Sequence, residues 1–433
     1  MAHSHPTIFV SGFVSMQMLH MPAFADQPRA VASFPLPHAS FVAVMPGDDS
    51  RPGGGDNAGL GLIMTTFQAI GHGTVVWQGG IGAVFNGSAL PDAVVLNSGL
   101  SWPNQVTYSA AAPDGPLATP ALLVGDGFLV PGKSTGSVYA LPLAATGSLP
   151  DAASPVALAP RKDGYFYHRA VWIDMDGDGV DDILTARATK PIFGPSGGEL
   201  VWLRNPGGRN PLAVAPWPLT VITSHGCDVE FAIDAHAAAP GSIHVFCASF
   251  FAKQLTLNVV STSNASLLHH LVIDSGLPLE SITVVDVNGD GLLDLLTNTH
   301  TDVSADSAVL AYEFPADVLS GSWPKHVVAS GFNTTERSPG PQASPGFTYA
   351  AHVSTTAKRP TVLIAGDGAQ AAFQAAPMGP PSSWAFELST ILAVDGVVGS
   401  LAVADMNGDG WLDLAVPDYD HGVVHLLTYA DQL

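Results

Sequence analysis

Three stretches of this chain carry side chains whose types and spacing could do chemistry. They are Asp174-Met-Asp-Gly-Asp-Gly-Val-Asp-Asp182, Asp286-Val-Asn-Gly-Asp-Gly-Leu-Leu-Asp294 and Asp405-Met-Asn-Gly-Asp-Gly-Trp-Leu-Asp413. Oxygen-bearing side chains fall at positions one, three, five and nine: Asp174, Asp176, Asp178 and Asp182; Asp286, Asn288, Asp290 and Asp294; Asp405, Asn407, Asp409 and Asp413. Glycines hold positions four and six. A hard cation such as Ca²⁺ takes about six to eight oxygens, which a tight loop supplies from alternate side chains and a carbonyl. Position seven, Val180, Leu292 or Trp411, offers only that carbonyl. The spacing predicts three structural Ca²⁺ sites.

The flanks say which elements position these loops. An EF-hand needs helices on both sides and a bidentate Glu at its twelfth position. Here that position is Thr185, Thr297 or Val416, and the flanks are short, apolar and partly β-branched, as in Ala170-Val-Trp-Ile before and Ile183-Leu-Thr after. Two strands joined by the loop fit this pattern.

The loops recur at intervals of roughly 115 residues, and a degenerate copy lies within each interval. Phe231-Ala-Ile-Asp234 with Ser242-Ile-His-Val-Phe246 is one; Phe347-Thr-Tyr-Ala-Ala-His352 with Thr361-Val-Leu-Ile-Ala365 is the other. Units then begin near 174, 234, 286, 351 and 405, a period of about 58 residues with room for four strands, as in a β-propeller. Gly198-Glu-Leu-Val-Trp202 is a further strand, echoed at Gly136–Tyr139, Ser307–Leu310 and Gly422–His425. Another strand follows each of Trp102, Trp217 and Trp323, whose repeated place before an outer strand points to packing. The last unit lacks a fourth strand, and Ala30-Val-Ala-Ser-Phe34 can supply it and close the ring, removing exposed edges. The fold expected is all-β: a seven-bladed propeller of four-stranded blades, in one domain over residues 26–433. Between 45 and 160 the register is open. Either the stretch from Gly82 to Asp92 or Ala110–Gly115 could be a decayed loop, and six or eight blades stay as alternatives.

Composition agrees with such a fold. The 433 residues are 47% hydrophobic and 12% charged, with 45 Gly and 35 Pro, which suits short strands and turns. A net charge of −22 disfavours nucleic acid. Residues 1–25, with the apolar run Ile8–Val14 and Ala23-Phe-Ala25, have the form of a signal peptide lacking basic residues near its start. No later stretch is long and apolar enough to span a membrane. The two cysteines, Cys227 and Cys247, would lie nearly opposite each other if 234–243 forms a hairpin turn; a disulfide and two free thiols are both open. Asn86, Asn264 and Asn333 begin glycosylation triplets.

The Asp-x-Asp/Asn-Gly-Asp-Gly-x-x-Asp loops between short strands resemble FG-GAP/VCBS repeats, as in integrin α-subunit propellers and calcium-containing fungal lectin propellers. The resemblance is clearest over 165–433. Relatives include adhesion heads, lectins and a group of fungal sugar dehydratases, so the fold leaves function open. In the topology that this resemblance implies, residues before the first strand and after the second meet around the axis, on the face away from the loops. Those positions are Tyr165, Tyr167 and His168 with Arg187 and Lys190; His225 with Lys253; Glu280 with Asn298, His300 and Asp302; Tyr349 with Asp367; and Asp418, Tyr419 and His421. A polar and aromatic funnel of this kind would take a sugar or polyol. His168, His225 and His300 on one rim also have the chemistry for Zn²⁺. The reading is a secreted, calcium-stabilised module that binds an extracellular glycan or protein. A sugar-acting lyase or isomerase, with His168 as acid/base and Arg187 steadying negative charge, is the alternative.

Overall fold

A computed structural model describes residues 27–430 except 47–59, 69, 110–116, 118–119, 129–132, 144–153, 192, 235–238 and 338–339. Residues 1–25, where a signal peptide is expected, lie outside the described residues, as do Gly47–Asp56 and the centre of the first degenerate copy. Seven four-stranded antiparallel sheets make a seven-bladed β-propeller. Blade 1 holds strands Ala39–Pro46, Leu60–Thr66, Gly73–Gln78 and Val94–Leu100; blade 2 holds Val106–Ser109, Ala121–Gly125, Val138–Pro142 and Val156–Ala157. Blade 3 is Tyr165–Ile173, Asp182–Thr189, Gly197–Leu203 and Leu219–Thr223, and blade 4 is Glu230–Asp234, Ser242–Ser249, Gln254–Ser261 and Leu267–Ser275. Blade 5 comprises Leu279–Val285, Asp294–Thr299, Ala308–Glu313 and Lys325–Ser330; blade 6 comprises Thr348–Ala351, Thr361–Ala365, Ala371–Met378 and Ala385–Ala393. Blade 7 takes Ala402–Ala404, Asp413–Asp418 and Val423–Thr428 from the end of the chain and its outer strand, Arg29–Pro35, from the beginning.

Burial explains the strand sequences. Second and third strands are covered on both faces by neighbouring blades, so they read as continuous apolar runs: Ile183, Leu184, Ala186 and Ala188, or Val362 to Ala365, are essentially inaccessible. Outer strands such as Leu267–Ser275 and Ala385–Ala393 are largely exposed and mix polar with apolar residues. The core is divided into seven clusters, each shared by two adjacent blades. One joins Val424 and Leu426 of blade 7 to Leu62 and Met64 of blade 1. A hydrogen bond from Leu36 N–H to the Gly422 carbonyl reinforces that contact.

Between 45 and 160, where the sequence leaves the register open, the structure excludes one of the two candidate loops and departs from the expectation at Trp102. Residues Ile81–Phe85 form a single helical turn between the third and fourth strands of blade 1, so Gly82 to Asp92 is no first-to-second-strand loop. Ala110–Gly115 lies outside the described residues, but the strands on either side make it the first-to-second connection of blade 2. Trp217 and Trp323 do precede outer strands, whereas Trp102 precedes the innermost strand of blade 2. A Trp ahead of a strand cannot separate the two cases, because both are turns entering a strand.

Cys227 and Cys247 form a disulfide with Cα atoms 4.9 Å apart. They are not cross-strand partners: Phe231 stands opposite Cys247, and Cys227 reaches it from the turn ahead of the strand. Both cysteines are fully buried. Closing a loop with a sequence separation of 20 stabilises by about 3 kcal/mol in the chain-entropy picture. Cys227→Ser should therefore lower the unfolding free energy by about that amount, with reductant giving the same loss in the parent and none in the variant. The three glycosylation-triplet asparagines, Asn86, Asn264 and Asn333, are all exposed.

Candidate functional site

The acidic loops join first to second strands of blades 3, 5 and 7, all on one face. Their conformation is set by Asp at position one. Asp174 accepts hydrogen bonds from the Gly177 and Gly179 amides, and Asp286 and Asp405 repeat the pattern with Gly289, Gly291, Gly408 and Gly410. These glycines sit at φ between 75 and 90°, a region that side chains rarely adopt. Position nine closes each loop: Asp182, Asp294 and Asp413 accept from the amides of Met175, Val287 and Met406. Those three apolar side chains are buried and anchor the loops to the inter-blade cores.

The donor set fits a hard divalent cation. One oxygen each of Asp174, Asp176 and Asp178 lie within 4.8 Å of one another. Asp176 Oδ1 and Asp413 Oδ1 are buried with no hydrogen-bond partner. Arg204 Nη2, 2.7 Å from Asp176, offsets charge in the first loop. Burial, reinforced by the loop's other carboxylates, pushes Asp294 and Asp413 up to about 7.

The opposite face carries the funnel. Phe41, His168 and Phe347, from blades 1, 3 and the entry to blade 6, meet across the axis with centroid separations of 5.3, 5.6 and 6.1 Å. Behind this aromatic plug lies a cavity of about 380 Å³ lined by the innermost strands. Its one ion pair among the described residues is Arg169 Nη1 to Glu230 Oε1 at 2.7 Å; Gln105 Nε2 donates to Glu230 Oε2 at 2.8 Å. Around the mouth runs an aromatic arc. Phe67 packs on Trp102 (4.8 Å), Trp102 stacks on Phe128 (5.3 Å), and Phe128 meets Phe166 (5.5 Å). The arc continues through Phe251 and Phe250 to His300.

The residues expected on this rim are distributed unevenly. Arg187 is buried and committed: its Nε and Nη2 bind Glu199 at 2.7 and 2.6 Å, its Nη1 donates to Tyr167 Oη, and its guanidinium lies over Tyr165. His168 has other neighbours, the plug phenylalanines and Glu230 Oε2 at 3.8 Å. Lys190 is exposed over Phe251, and His225 is exposed beside His270. Tyr349 Oη accepts from Leu401 N–H at the cavity wall, and Tyr419 donates to the Phe67 carbonyl. His421 pairs with Asp418 at 2.8 Å, and Asp302 is exposed. His168, His225 and His300 do not gather: His168 stands in the plug, His225 lies beside His270 and His300 packs on Phe250. What does gather is Glu280, His300 and Asp367. Phe41, Phe67, Phe128, Phe250 and Phe251, absent from the sequence reading, are at or near the strand ends that carried it. In the sequence a phenylalanine at a strand end is not distinguishable from a core phenylalanine, so only the tertiary structure shows that these line the mouth.

Comparison with known proteins adds the architecture. No protein-family model matches the chain, and no curated protein matches its sequence. Among solved structures, BBS1N in complex with ARL6DN aligns with a TM-score of 0.50 at 10% identity, covering 93% of this chain and 97% of that one. The Dos1 propeller aligns at 0.48 and 10% identity, covering 93% and 96%. The likeness is one of fold. Among the described residues no helix is long and apolar enough to cross a membrane.

Proposed function

We propose that this chain is an exported, calcium-stabilised propeller that binds an extracellular glycan or protein at the aromatic-lined mouth of its channel. The observation that carries the reading is the arc from Phe67 through Trp102 and Phe128 to Phe250, bordered by Glu280 and Asp367 beside His300. Aromatic faces cover the C–H surfaces of a sugar, or anchor a partner's apolar side chains, while carboxylates accept from hydroxyl or amide groups. The buried disulfide is consistent with an oxidising compartment. Ca²⁺ would be held by the alternating oxygens of the three hairpin loops, with the carbonyls of Val180, Leu292 and Trp411 at position seven. It would stiffen the face away from the mouth.

Binding is favoured over lyase chemistry because the lyase reading needs His168 and Arg187 to act together. Arg187 is instead held by Glu199 and Tyr167, and His168 stands in the aromatic plug. A glycan array and a set of extracellular protein fractions, run with calcium, test the proposal. Trp102→Ala should weaken the ligand found by roughly 10- to 100-fold, the effect of truncating an aromatic anchor, with little change in melting temperature. Unchanged affinity in this variant, with loss on Leu388→Glu at the outer edge of blade 6, would move the binding surface to the rim. Dehydration of a sugar by the parent would make the chain an enzyme.

A further inference from the structure

We propose that Glu280, His300 and Asp367 form a site for a divalent transition metal at the channel mouth, separate from the hairpin loops and of a different chemistry. Zn²⁺ is the cation that one imidazole and two carboxylates suit best; Ca²⁺ prefers an all-oxygen set. The three side chains come from the ends of strands in two blades, and one ligand atom of each lies within 4.8 Å of the others. Both Glu280 and His300 keep about 15% side-chain exposure, at 16% and 15%, so an ion has a way in.

The tautomer of His300 follows from its partner. Nδ1 lies 3.0 Å from the Pro345 carbonyl, and a carbonyl only accepts, so Nδ1 carries the proton. In the neutral ring Nε2 then keeps its lone pair. Metal-binding histidines are commonly oriented in this way, by a backbone carbonyl on the nitrogen that does not bind. Glu280 Oε2 is a buried oxygen 3.1 Å from Nδ1 and outside hydrogen-bond geometry, so its counter-charge is either the protonated ring or a bound cation. The surroundings supply more negative charge, from Glu230 beside Glu280 and Asp420 beside Asp367. Three protein ligands leave at least one coordination position for an oxygen from outside. Phe250, 5.8 Å from the His300 ring, joins this site to the aromatic arc.

The proposal stands whichever ligand the mouth takes, and metal binding tests it directly. The full chain, saturated with Ca²⁺ to fill the loops, would be titrated calorimetrically with Zn²⁺, and with Co²⁺ for a visible spectrum that reports nitrogen ligation. One tight equivalent is expected. His300→Gln and Glu280→Gln should each weaken it at least 100-fold, while His225→Gln, which alters the exposed His225–His270 pair, and Asp178→Asn, in a hairpin loop, leave it unchanged. Melting temperatures measured alongside show whether a variant is folded; Glu280→Gln preserves shape if His300→Gln does not fold. No Zn²⁺ uptake by the calcium-saturated parent, or undiminished uptake in the folded variants, overturns the site. Loss in His225→Gln instead would place the ion at the His225–His270 pair and overturn it too.

Discussion

Stripping calcium should lower the melting temperature by roughly 10 °C. A site whose ion is present at about 100 times its dissociation constant contributes about 2.7 kcal/mol, so three sites contribute about 8 kcal/mol. A domain of this size has an unfolding entropy of roughly 0.9 kcal/mol per kelvin, which converts that loss to about 10 °C. The loops support a sizeable effect because each is tied to a core between blades through Met175, Val287 or Met406. Emptying a loop leaves clustered carboxylates facing one another, including the buried, unpartnered oxygens of Asp176 and Asp413. Calorimetric scans with and without chelator check this, and Asp409→Ala should reduce the chelator response by about a third. A melting temperature indifferent to chelation would remove calcium from the account.

The second large effect belongs to the channel. Arg169→Met should destabilise the propeller by about 2–3 kcal/mol, because the buried Glu230 carboxylate loses a charged donor that is itself about a third exposed. Glu230 is 1% exposed; after the substitution it would retain Gln105 as its donor, with His168 Nδ1 at 3.8 Å. Arg169 also lies over the Phe231 ring at 5.6 Å, a packing contact that methionine keeps in part. Denaturant unfolding measures the loss. Glu230→Gln in the same chain should restore most of it, because the amide needs no counter-charge. A cost below about 1 kcal/mol would show that water reaches Glu230 from the cavity.

Much of the architecture was legible because it depends on local rules. Glycines at positions four and six fix a tight turn, and the β-branched flanks fix strands on either side. A loop repeated at a constant period can come only from repeated units. Apolar runs such as Thr361–Ala365 then required burial on both faces, which a radial stack of blades supplies. The same rules failed between 45 and 160, where no acidic loop marks the blades and a turn before Trp102 resembles the turns before Trp217 and Trp323.

The mouth divides along the same line. Sequence by itself determined the strand ends, and the topology that its repeat resemblance implies placed Glu280, His300, Asp367 and Asp418 on the face away from the loops. Tertiary structure alone decided which of these side chains meet. Arg187 was lost to Glu199 through cross-strand pairing within blade 3, and His168 turned into an aromatic plug with Phe41 and Phe347. Glu280, His300 and Asp367 came together because neighbouring blades 5 and 6 bring their strand ends to the same part of the rim. The physical reason is range: turn and strand preferences act over a few residues, whereas these contacts join positions up to some 300 residues apart, whose separation is set by how each blade is rotated against the next.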